Sequence, residues 1–299
     1  MAIKKGYKEL VVLSGKGGTG KTTITAALAQ LADNIVLADC DVDASDLHII
    51  TNPTHSITSP FVSGKEAKVV SKLCTGCQIC AAECRFDAFE TLKDHTVRIR
   101  PIRCEGCGLC VHLCPEGAIT FEDRTCGEWK ISETRFGPMV HARLDPAEEN
   151  SGLLVSLVRQ EAKKIAQNED RTLMLSDGPP GIGCPVISSV TGVDGVLVVT
   201  EPSLSSLHDM KRVTALARQF EIEVYVCINR SDVHPEISDL IKKEIEKEGN
   251  HWVGDITFNS DVVQAQLEGK NVIEYGVTQT IKEITHIWEN VWKLMNKEK

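Results

Sequence analysis

The octapeptide GKGGTGKT at residues 15–22 has the residue types and spacing of a phosphate-binding loop. Its glycines and its last two residues satisfy the pattern G-x-x-x-x-G-K-[ST], in which backbone N–H groups point at phosphate oxygens. Lys21 is expected to reach the β- and γ-phosphates of a nucleoside triphosphate, and Thr22 to hold Mg²⁺. The residues predicted to contact the nucleotide here are Gly15, Gly17, Gly18, Thr19, Gly20, Lys21, Thr22 and Thr23. The loop also contains a second lysine, Lys16, for which phosphate binding alone provides no role.

Two cysteine clusters contain eight of the twelve cysteines. Residues 74–89 and 104–119 each carry the spacing C-x₂-C-x₂-C-x₃-C. This is the run found in bacterial two-cluster ferredoxins, where the fourth cysteine of each run ligates the other cluster. The pattern predicts two [4Fe–4S] clusters, the first held by Cys74, Cys77, Cys80 and Cys114 and the second by Cys104, Cys107, Cys110 and Cys84.

Zinc is the alternative occupant of these cysteines, but zinc sites usually use C-x₂-C pairs separated by a longer loop. Disulfides are not expected, because the cytosol keeps thiols reduced. One position departs from the ferredoxin pattern: Pro115 follows Cys114, whereas Arg85 follows Cys84. A cation there is expected to raise the reduction potential of a cluster without preventing its ligation.

Strands and helices that alternate along the chain must position these residues. Strands are predicted at 9–15, 34–41, 172–181, 195–202 and 223–230, with a weaker candidate at 251–258, and helices at 21–32, 152–167, 205–219, 236–248 and 280–295. This alternation predicts an α/β fold with a doubly wound, mostly parallel sheet, as in P-loop NTPases. It fails between about 60 and 125, so we predict an ATPase domain of residues 1–60 and 125–299. Residues 61–124 are predicted to form an inserted, small α+β domain of the bacterial ferredoxin type.

Composition limits the function classes. The formal net charge of −9 argues against a general nucleic-acid binder, whose surface carries a basic face. No apolar run approaches the ~20 residues that cross a bilayer, so a cytoplasmic protein is expected. The C-terminal stretch TIKEITHIWENVWKLMNKEK is amphipathic, but its polar face mixes Glu with Lys, whereas membrane-surface helices are usually basic. We therefore expect it to pack on its own domain and not on a membrane.

The loop with its extra lysine resembles the deviant Walker A family, which includes MinD, ParA, Mrp-type ATPases and the nitrogenase iron protein. The resemblance covers the chain outside the insert. It implies that Lys16 reaches across a nucleotide-sandwich dimer to the phosphates of the partner subunit and stabilises charge on the γ-phosphoryl group, as an arginine finger does. The dimer is expected to be a homodimer or a heterodimer with a paralogue.

Further stretches resemble the switch motifs of the same family. In LADCDVDASDLH, at residues 37–48, Asp41 matches the carboxylate that orients the attacking water and Asp39 lies near the metal. Asp43 is an alternative to Asp41, because another branch of the family uses a longer aspartate spacing. In LMLSDGPPG, Asp177 matches the acidic residue of the Mg²⁺ shell. Together with Lys16 and Lys21, Asp41 completes the predicted catalytic set.

Two other matches concern the base and a further cluster. The stretch CINR places Asn229 at the position that contacts adenine in the family. Pro202, in the stretch TEPS, is expected to lie near it. Cys184 follows Asp177 by seven residues, the offset at which the nitrogenase iron protein places a ligand of its dimer-bridging cluster. Such a cluster needs a second cysteine from each subunit, for which Cys126 is the spare candidate. A packed thiol is the alternative interpretation of Cys184.

As a whole, the chain resembles MinD-superfamily P-loop ATPases that carry an inserted ferredoxin domain. This resemblance implies binding and hydrolysis of ATP to ADP with Mg²⁺, and two [4Fe–4S] clusters. It favours a nucleotide-dependent dimer switch that gates low-potential electron transfer to a redox partner protein. The alternative is an iron–sulfur cluster assembly or carrier ATPase of the Mrp type. A third possibility, a positioning ATPase like MinD or ParA, is disfavoured by the acidic charge and leaves the clusters without a role.

Overall fold

The computed structural model describes residues 6–146 and 148–297, and these form two compact units. Unit 1 comprises the residues up to Ser59, Trp129–Leu144, and the residues from Ser151 onward. Unit 2 comprises Pro60–Glu128 and Asp145–Asn150. Unit 2 contains both cysteine runs, while unit 1 contains the glycine loop.

The strands are β1 (Lys8–Ser14), β2 (Ile35–Asp39), β3 (His55–Val69), β4 (Phe89–Thr91), β5 (Val97–Ile99), β6 (Ile119–Thr134), β7 (Gly137–Leu144), β8 (Leu173–Pro180), β9 (Gly195–Thr200), β10 (Glu223–Asn229) and β11 (His251–Ile256). The helices are α1 (Lys21–Leu31), α2 (Leu47–Thr51), α3 (Ile79–Ala82), α4 (Leu109–Leu113), α5 (Ser151–Asn168), α6 (Cys184–Val190), α7 (Leu204–Gln219), α8 (Pro235–Lys247), α9 (Asp261–Leu267), α10 (Val272–Tyr275) and α11 (Thr278–Met295). A short 3₁₀ turn, Pro101–Arg103, precedes the second cysteine run.

Within the described part of the chain, the main sheet has nine strands in the order β11-β10-β9-β1-β8-β2-β7-β6-β3. The pairs from β11 to β7 are parallel. The central strands β1, β2, β8 and β9 are almost completely buried, as expected for a parallel sheet with helices on both faces. Because the carboxyl ends of parallel strands meet at one edge, the loops after β1, β2 and β8 converge there.

Two apolar layers cover the two faces of this sheet. One layer packs Ile24, Leu28 and neighbours from α1 and α11 against Leu10 and Leu37. The other packs α6, α7 and α8 against the opposite side chains of the same strands, such as Val11. The doubly wound α/β sheet predicted from the sequence is confirmed, and the six predicted strands and five predicted helices agree with the structure to within two residues at most ends.

Strands β3, β6 and β7 have no counterpart among the predicted strands. β3 is mostly exposed along its fifteen residues and mixes Lys, Glu, Ser and Thr with apolar residues. Such a strand lacks the continuous apolar run that identifies a buried strand. β6 and β7 are joined by only two residues, which makes them an antiparallel pair beside the parallel strands.

The C-terminal helix α11 packs its apolar side chains into unit 1. Ile284, Ile287, Val291 and Met295 are buried in the same layer as the face of α1. The amphipathic pattern of this helix is therefore satisfied by its own domain. Among the described residues, no helix combines the length and apolar character that crossing a membrane requires.

Unit 2 has a small core in which cysteines take a large share. Phe89, Val97 and Ile119 form its buried centre with Ala67 and Cys80. Strands β4 and β5 pair as an antiparallel hairpin, with Phe89 opposite Ile99. Most of the other cysteines of the two runs pack around this centre only partly buried. A core of this size, with so many thiols at its edge, has little apolar surface with which to stabilise itself.

Candidate functional site

The phosphate loop connects the end of β1 to the start of α1, and two of its glycines have a left-handed backbone. The φ angles are 79° at Gly18 and 95° at Gly20. A Cβ atom on Gly20 would lie 2.6 Å from Nδ2 of Asn229, so a side chain here would displace the carboxamide of Asn229. α1 begins at Lys21 without a side-chain cap, so the N–H groups of its first turn remain available to an anion.

A buried group of oxygen ligands lies beside this loop. The hydroxyl of Thr22 donates to Oδ2 of Asp177 at 2.6 Å, and the hydroxyl of Thr25 donates to Oδ1 at 3.1 Å. Asp39 is paired with Asp177 in register across β2 and β8, and both are buried. Burial raises the pKa of Asp177, and burial and then the charge of Asp177 raise the pKa of Asp39 well above its usual range. Two buried carboxylates beside a threonine hydroxyl fit a hard divalent cation such as Mg²⁺, which would relieve their repulsion.

Asp41 is held against the lysine of the loop. Oδ2 of Asp41 lies 3.5 Å from Nζ of Lys21, and the side chains of both are largely buried. Burial raises the pKa of Asp41 to about 6, although the positive charge of Lys21 opposes this rise. Asp43 also lines the cleft but is exposed. The position of Asp41 beside Lys21 fits the role predicted for it, and the choice between Asp41 and Asp43 remains a prediction.

Lys21, Asp41 and Asn229 line one continuous cleft of about 700 Å³. Nδ2 of Asn229 donates to the carbonyl oxygen of Thr19 at 2.8 Å, and its Oδ1 accepts from the backbone N–H of Arg230 at 3.0 Å. Asn229, which is predicted to contact adenine, therefore hydrogen-bonds to the phosphate loop in this structure. Pro202, which is also predicted to contact the nucleotide, is buried and is not among the described residues that line the cleft.

Several cleft residues were not anticipated from the sequence. The end of β11 and the loop after it, residues 256–259, form one wall. Gln266 of α9 donates from Nε2 to the hydroxyl of Thr23 at 2.6 Å. The apolar run at 251–258 could have indicated the first of these, because ligands bind where parallel strands end. No local signal marks Gln266, which is 243 residues from Thr23 along the chain.

In unit 2, a cavity of about 280 Å³ is lined by Cys84 together with Cys104, Cys107 and Cys110. These are the four cysteines predicted for the second cluster, and Cys80, which is predicted for the first cluster, lines the same cavity. Burial, followed by the neighbouring thiols of Cys104 and Cys107, raises the pKa of Cys110 to about 11. Arg85, the residue that departs from the ferredoxin pattern, lines the same cavity.

A second, narrower cavity of about 20 Å³ is lined by the other four cysteines of the runs, Cys74, Cys77, Cys80 and Cys114. The backbone N–H of Ala118 donates to Sγ of Cys114 at 3.3 Å, a contact of the kind that tunes cluster thiolates. The described residues contain no group of three or more His, Cys, Asp or Glu side chains arranged to hold a metal ion. Four cysteines line each of these cavities together with other residues, and four is the number of thiolates that ligate a [4Fe–4S] cluster, so this occupant stays a prediction.

The remaining cysteines differ in exposure. Cys40 and Cys227 are buried, and burial raises the pKa of both thiols. Cys126 is also buried, and its Sγ donates to the carbonyl oxygen of Ser63 at 3.1 Å. Cys184 is exposed at the first position of α6. Cys126 is thus occupied within unit 2, so among the described cysteines outside the two runs Cys184 is the one that is exposed, and the bridging cluster stays a prediction.

Comparison with known proteins agrees with this nucleotide site. Residues 10–272 match the family model described as the CobQ/CobB/MinD/ParA nucleotide binding domain. The chain belongs to this family. An uncharacterized protein of Methanocaldococcus jannaschii is 34% identical over 230 residues, which are 76% of this chain and 79% of that protein. An iron–sulfur cluster carrier protein of Pyrococcus furiosus is 23% identical over 99% of this chain and 88% of its own length.

Solved structures of the MinD/ParA type share the fold. The septum site-determining protein MinD of Pyrococcus horikoshii, complexed with Mg-ADP, superposes with a TM-score of 0.59 at 15% identity, covering 97% of this chain and 98% of that one. At this identity the likeness establishes the fold alone. The predicted membership of the MinD/ParA family of P-loop ATPases is confirmed by the family model.

In this MinD/ParA-family chain, the extra lysine of the loop has a partner within the same subunit. Nζ of Lys16 lies 2.8 Å from Oε1 of Glu201, just after β9. Oε2 of the same carboxylate lies 3.1 Å from a guanidinium nitrogen of Arg230. The side chain of Lys16 is 34% exposed, so it can leave this ion pair without breaking a packed core. A role in the partner subunit therefore requires Lys16 to exchange Glu201 for phosphate.

Proposed function

We propose that this protein is an ATP-dependent iron–sulfur cluster carrier. The observation that carries the proposal is the alignment of two Pyrococcus iron–sulfur cluster carrier proteins along 99% of the chain, combined with eight cysteines in two runs. The P-loop ATPase domain of the family supplies the nucleotide switch. A cluster handed to a recipient protein is the cargo of this cycle.

The ATPase half of the cycle uses residues of the phosphate loop and of the strand ends beside it. The phosphate loop and Lys21 bind the phosphates, and Thr22 with Asp177 and Asp39 holds Mg²⁺. Asp41 orients the attacking water. Members of this family dimerise, and Lys16 of one subunit reaches the nucleotide of the other, so hydrolysis depends on the dimer. The partner subunit is a second copy of the chain or a paralogue.

A second candidate function is nucleotide-gated electron transfer. The observation that favours it is the distribution of thiols, because all four cysteines of each predicted set line a cavity of unit 2, with Cys80 lining both. Complete ligation suits [4Fe–4S] clusters that stay with the protein and supply one-electron transfer at low potential. In this case the insert is a ferredoxin-type domain, and the chain's own contribution is to hold the clusters and to change their access to a redox partner protein when the dimer closes.

One experiment separates the two candidates. The protein is reconstituted anaerobically with iron and sulfide and mixed with apo-ferredoxin, with MgATP, MgADP or no nucleotide. Transfer of iron and sulfide to the acceptor that is faster with MgATP, and is lost in Lys16→Ala, supports the carrier. Retention of all iron, with a nucleotide-dependent shift of ~60 mV or more in a cluster midpoint potential, refutes the carrier and supports gated electron transfer.

A further inference from the structure

Three charged side chains lie in a row at the carboxyl edge of the main sheet. Lys16, Glu201 and Arg230 follow β1, β9 and β10, and these strands are neighbours in the order β10-β9-β1. The carboxylate of Glu201 lies between two cations, with Oε1 2.8 Å from Nζ of Lys16 and Oε2 3.1 Å from a guanidinium nitrogen of Arg230. One carboxylate therefore binds both cations, each through a different oxygen.

The backbone of Arg230 is strained. Its φ angle is 55°, in the left-handed region, which is unfavourable for a residue with a Cβ atom. Among the described residues that line the nucleotide cleft, Arg230 is the one non-glycine residue with such a backbone. The side chain of Asn229 accepts from its N–H at 3.0 Å, and the N–H of Ser231 donates to the carbonyl oxygen of Ile256 at 3.0 Å. The strained conformation is thus held on both sides, and strain retained at a site points to a function there.

Lys16 must leave Glu201 before it can bind phosphate in a second subunit. Its departure leaves the carboxylate of Glu201, whose side chain is 20% exposed, still bound to Arg230. A partly buried carboxylate that keeps a charged partner is destabilised less than one left without a partner. The two cations also repel each other, because they bind to the same carboxylate. Both effects lower the free energy that the release of Lys16 requires.

We propose that Arg230 is a positioning residue that acts through Glu201: it competes with Lys16 for this carboxylate and so makes Lys16 available to the nucleotide of the partner subunit. Glu201 holds Lys16 in the free subunit, and Arg230 keeps this ion pair weak enough for phosphate to replace it. Without Arg230, the carboxylate would bind Lys16 more firmly and oppose the closed dimer. The proposal rests on the role of Lys16 across the dimer, which belongs to the proposed function.

The test measures the dissociation constant of the dimer in Arg230→Gln, by analytical ultracentrifugation with Mg²⁺ and a non-hydrolysable ATP analogue. Loss of Arg230 should strengthen the hold on Lys16 about two- to fivefold in each subunit, the value of a partly exposed ion pair. A homodimer releases two such lysines, so its dissociation constant should rise about five- to thirtyfold. Arg230→Lys keeps a cation beside Glu201 and should dimerise like the wild type. Isothermal titration with MgADP should give the wild-type affinity in both variants, because Arg230 acts through Glu201 and not on the nucleotide.

A double-mutant comparison separates this indirect role from a direct one. In a Glu201→Gln background the shared carboxylate is absent, so adding Arg230→Gln should leave the dissociation constant of the dimer unchanged. Equal weakening of the dimer in both backgrounds, or weakened binding of MgADP, would show that Arg230 contacts the nucleotide or the partner subunit directly, and this overturns the proposal. The matched control is Arg218→Gln, which removes a guanidinium of similar exposure, 43%, from the carboxylate of Glu248 and should not change the dimer.

Lys16→Ala distinguishes failure of this proposal from failure of the role on which it rests. This variant should dimerise more weakly than the wild type, and adding Arg230→Gln to it should cause no further change. If Lys16→Ala dimerises as tightly as the wild type, the role of Lys16 across the dimer fails, and the role of Arg230 fails with it. If Lys16→Ala weakens the dimer and Arg230→Gln does not, the proposal for Arg230 alone is overturned.

Discussion

The carboxyl group of Asp41 is a position at which the structure predicts a conflict between stability and function. Its pKa is raised to about 6 by burial, against an ordinary aspartate value of about 3.9. A carboxyl group whose pKa is higher in the folded than in the unfolded chain destabilises the fold at every pH where it is ionised. The difference of roughly 2 pH units corresponds to about 3 kcal/mol, which solvent screening reduces to about 1–2 kcal/mol.

Replacing Asp41 by Asn should therefore stabilise the nucleotide-free protein at pH 7.5 by about 1–2 kcal/mol. The gain should shrink as the pH falls through 6 and vanish below about 4, where both folded and unfolded chains carry the protonated acid. The attraction of Lys21 is already included, because it opposes the rise of the pKa without cancelling it. Urea unfolding at several pH values measures this dependence. The matched control is Asp43→Asn, which removes the same charge from an exposed side chain and should change stability by less than about 0.5 kcal/mol.

The same pair of variants tests the assignment of the water-orienting residue. Asp41→Asn should abolish ATP hydrolysis while retaining nucleotide binding, and Asp43→Asn should hydrolyse ATP at a rate close to the wild type. The wild-type rate should fall as the pH drops below about 6, because the protonated acid cannot orient the water as a base. If Asp41→Asn destabilises the protein at pH 7.5, or if Asp43→Asn is the inactive variant, the reasoning from burial is refuted.

Three further predictions concern other parts of the site. Glu201→Gln frees Lys16 from a partly exposed ion pair worth ~0.5–1 kcal/mol in each subunit. Analytical ultracentrifugation with a non-hydrolysable ATP analogue should therefore show a homodimer tightened about five- to thirtyfold, and an unchanged dimer would contradict the exchange of partners. Gly20→Ala places a Cβ at a left-handed position where it displaces the carboxamide of Asn229, and isothermal titration should detect weakened MgATP binding. Unchanged binding would contradict the reasoning from the loop geometry. After reconstitution, Cys107→Ser should lower bound iron from about eight to about four atoms per chain, whereas Cys184→Ser should retain about eight. Equal iron in the two variants would exclude the assigned ligand set.

Much of the nucleotide site could be predicted from sequence because its parts are local. The backbone of the phosphate loop depends on glycines within eight consecutive residues, and Thr22 follows Lys21 directly. The strands that end at the site are continuous apolar runs, which are recognisable without any knowledge of their neighbours. The cysteine spacing carries similar local information, since a short peptide must wrap around one cluster.

The edge strands could not be predicted in the same way. β3 alternates irregularly between polar and apolar residues, because most of its side chains face solvent and the burial that creates a readable pattern is absent. Its place in the sheet depends on pairing with strands far away in the sequence. The same is true of the position of β8 between β1 and β2, which brings Asp177 beside Thr22.

By itself, the sequence determined that this chain has a phosphate loop on a parallel α/β sheet and two runs of cluster-type cysteines, because both depend on residues close together in the chain. Tertiary structure alone decided which side chains are left without a partner and which are not. It paired Lys16 with Glu201, committed Asn229 to the loop, and left the hydroxyl of Thr280 unpartnered in the cleft wall. Such pairings join atoms close in space but separated by up to hundreds of residues, and only the folded chain brings them within hydrogen-bond distance.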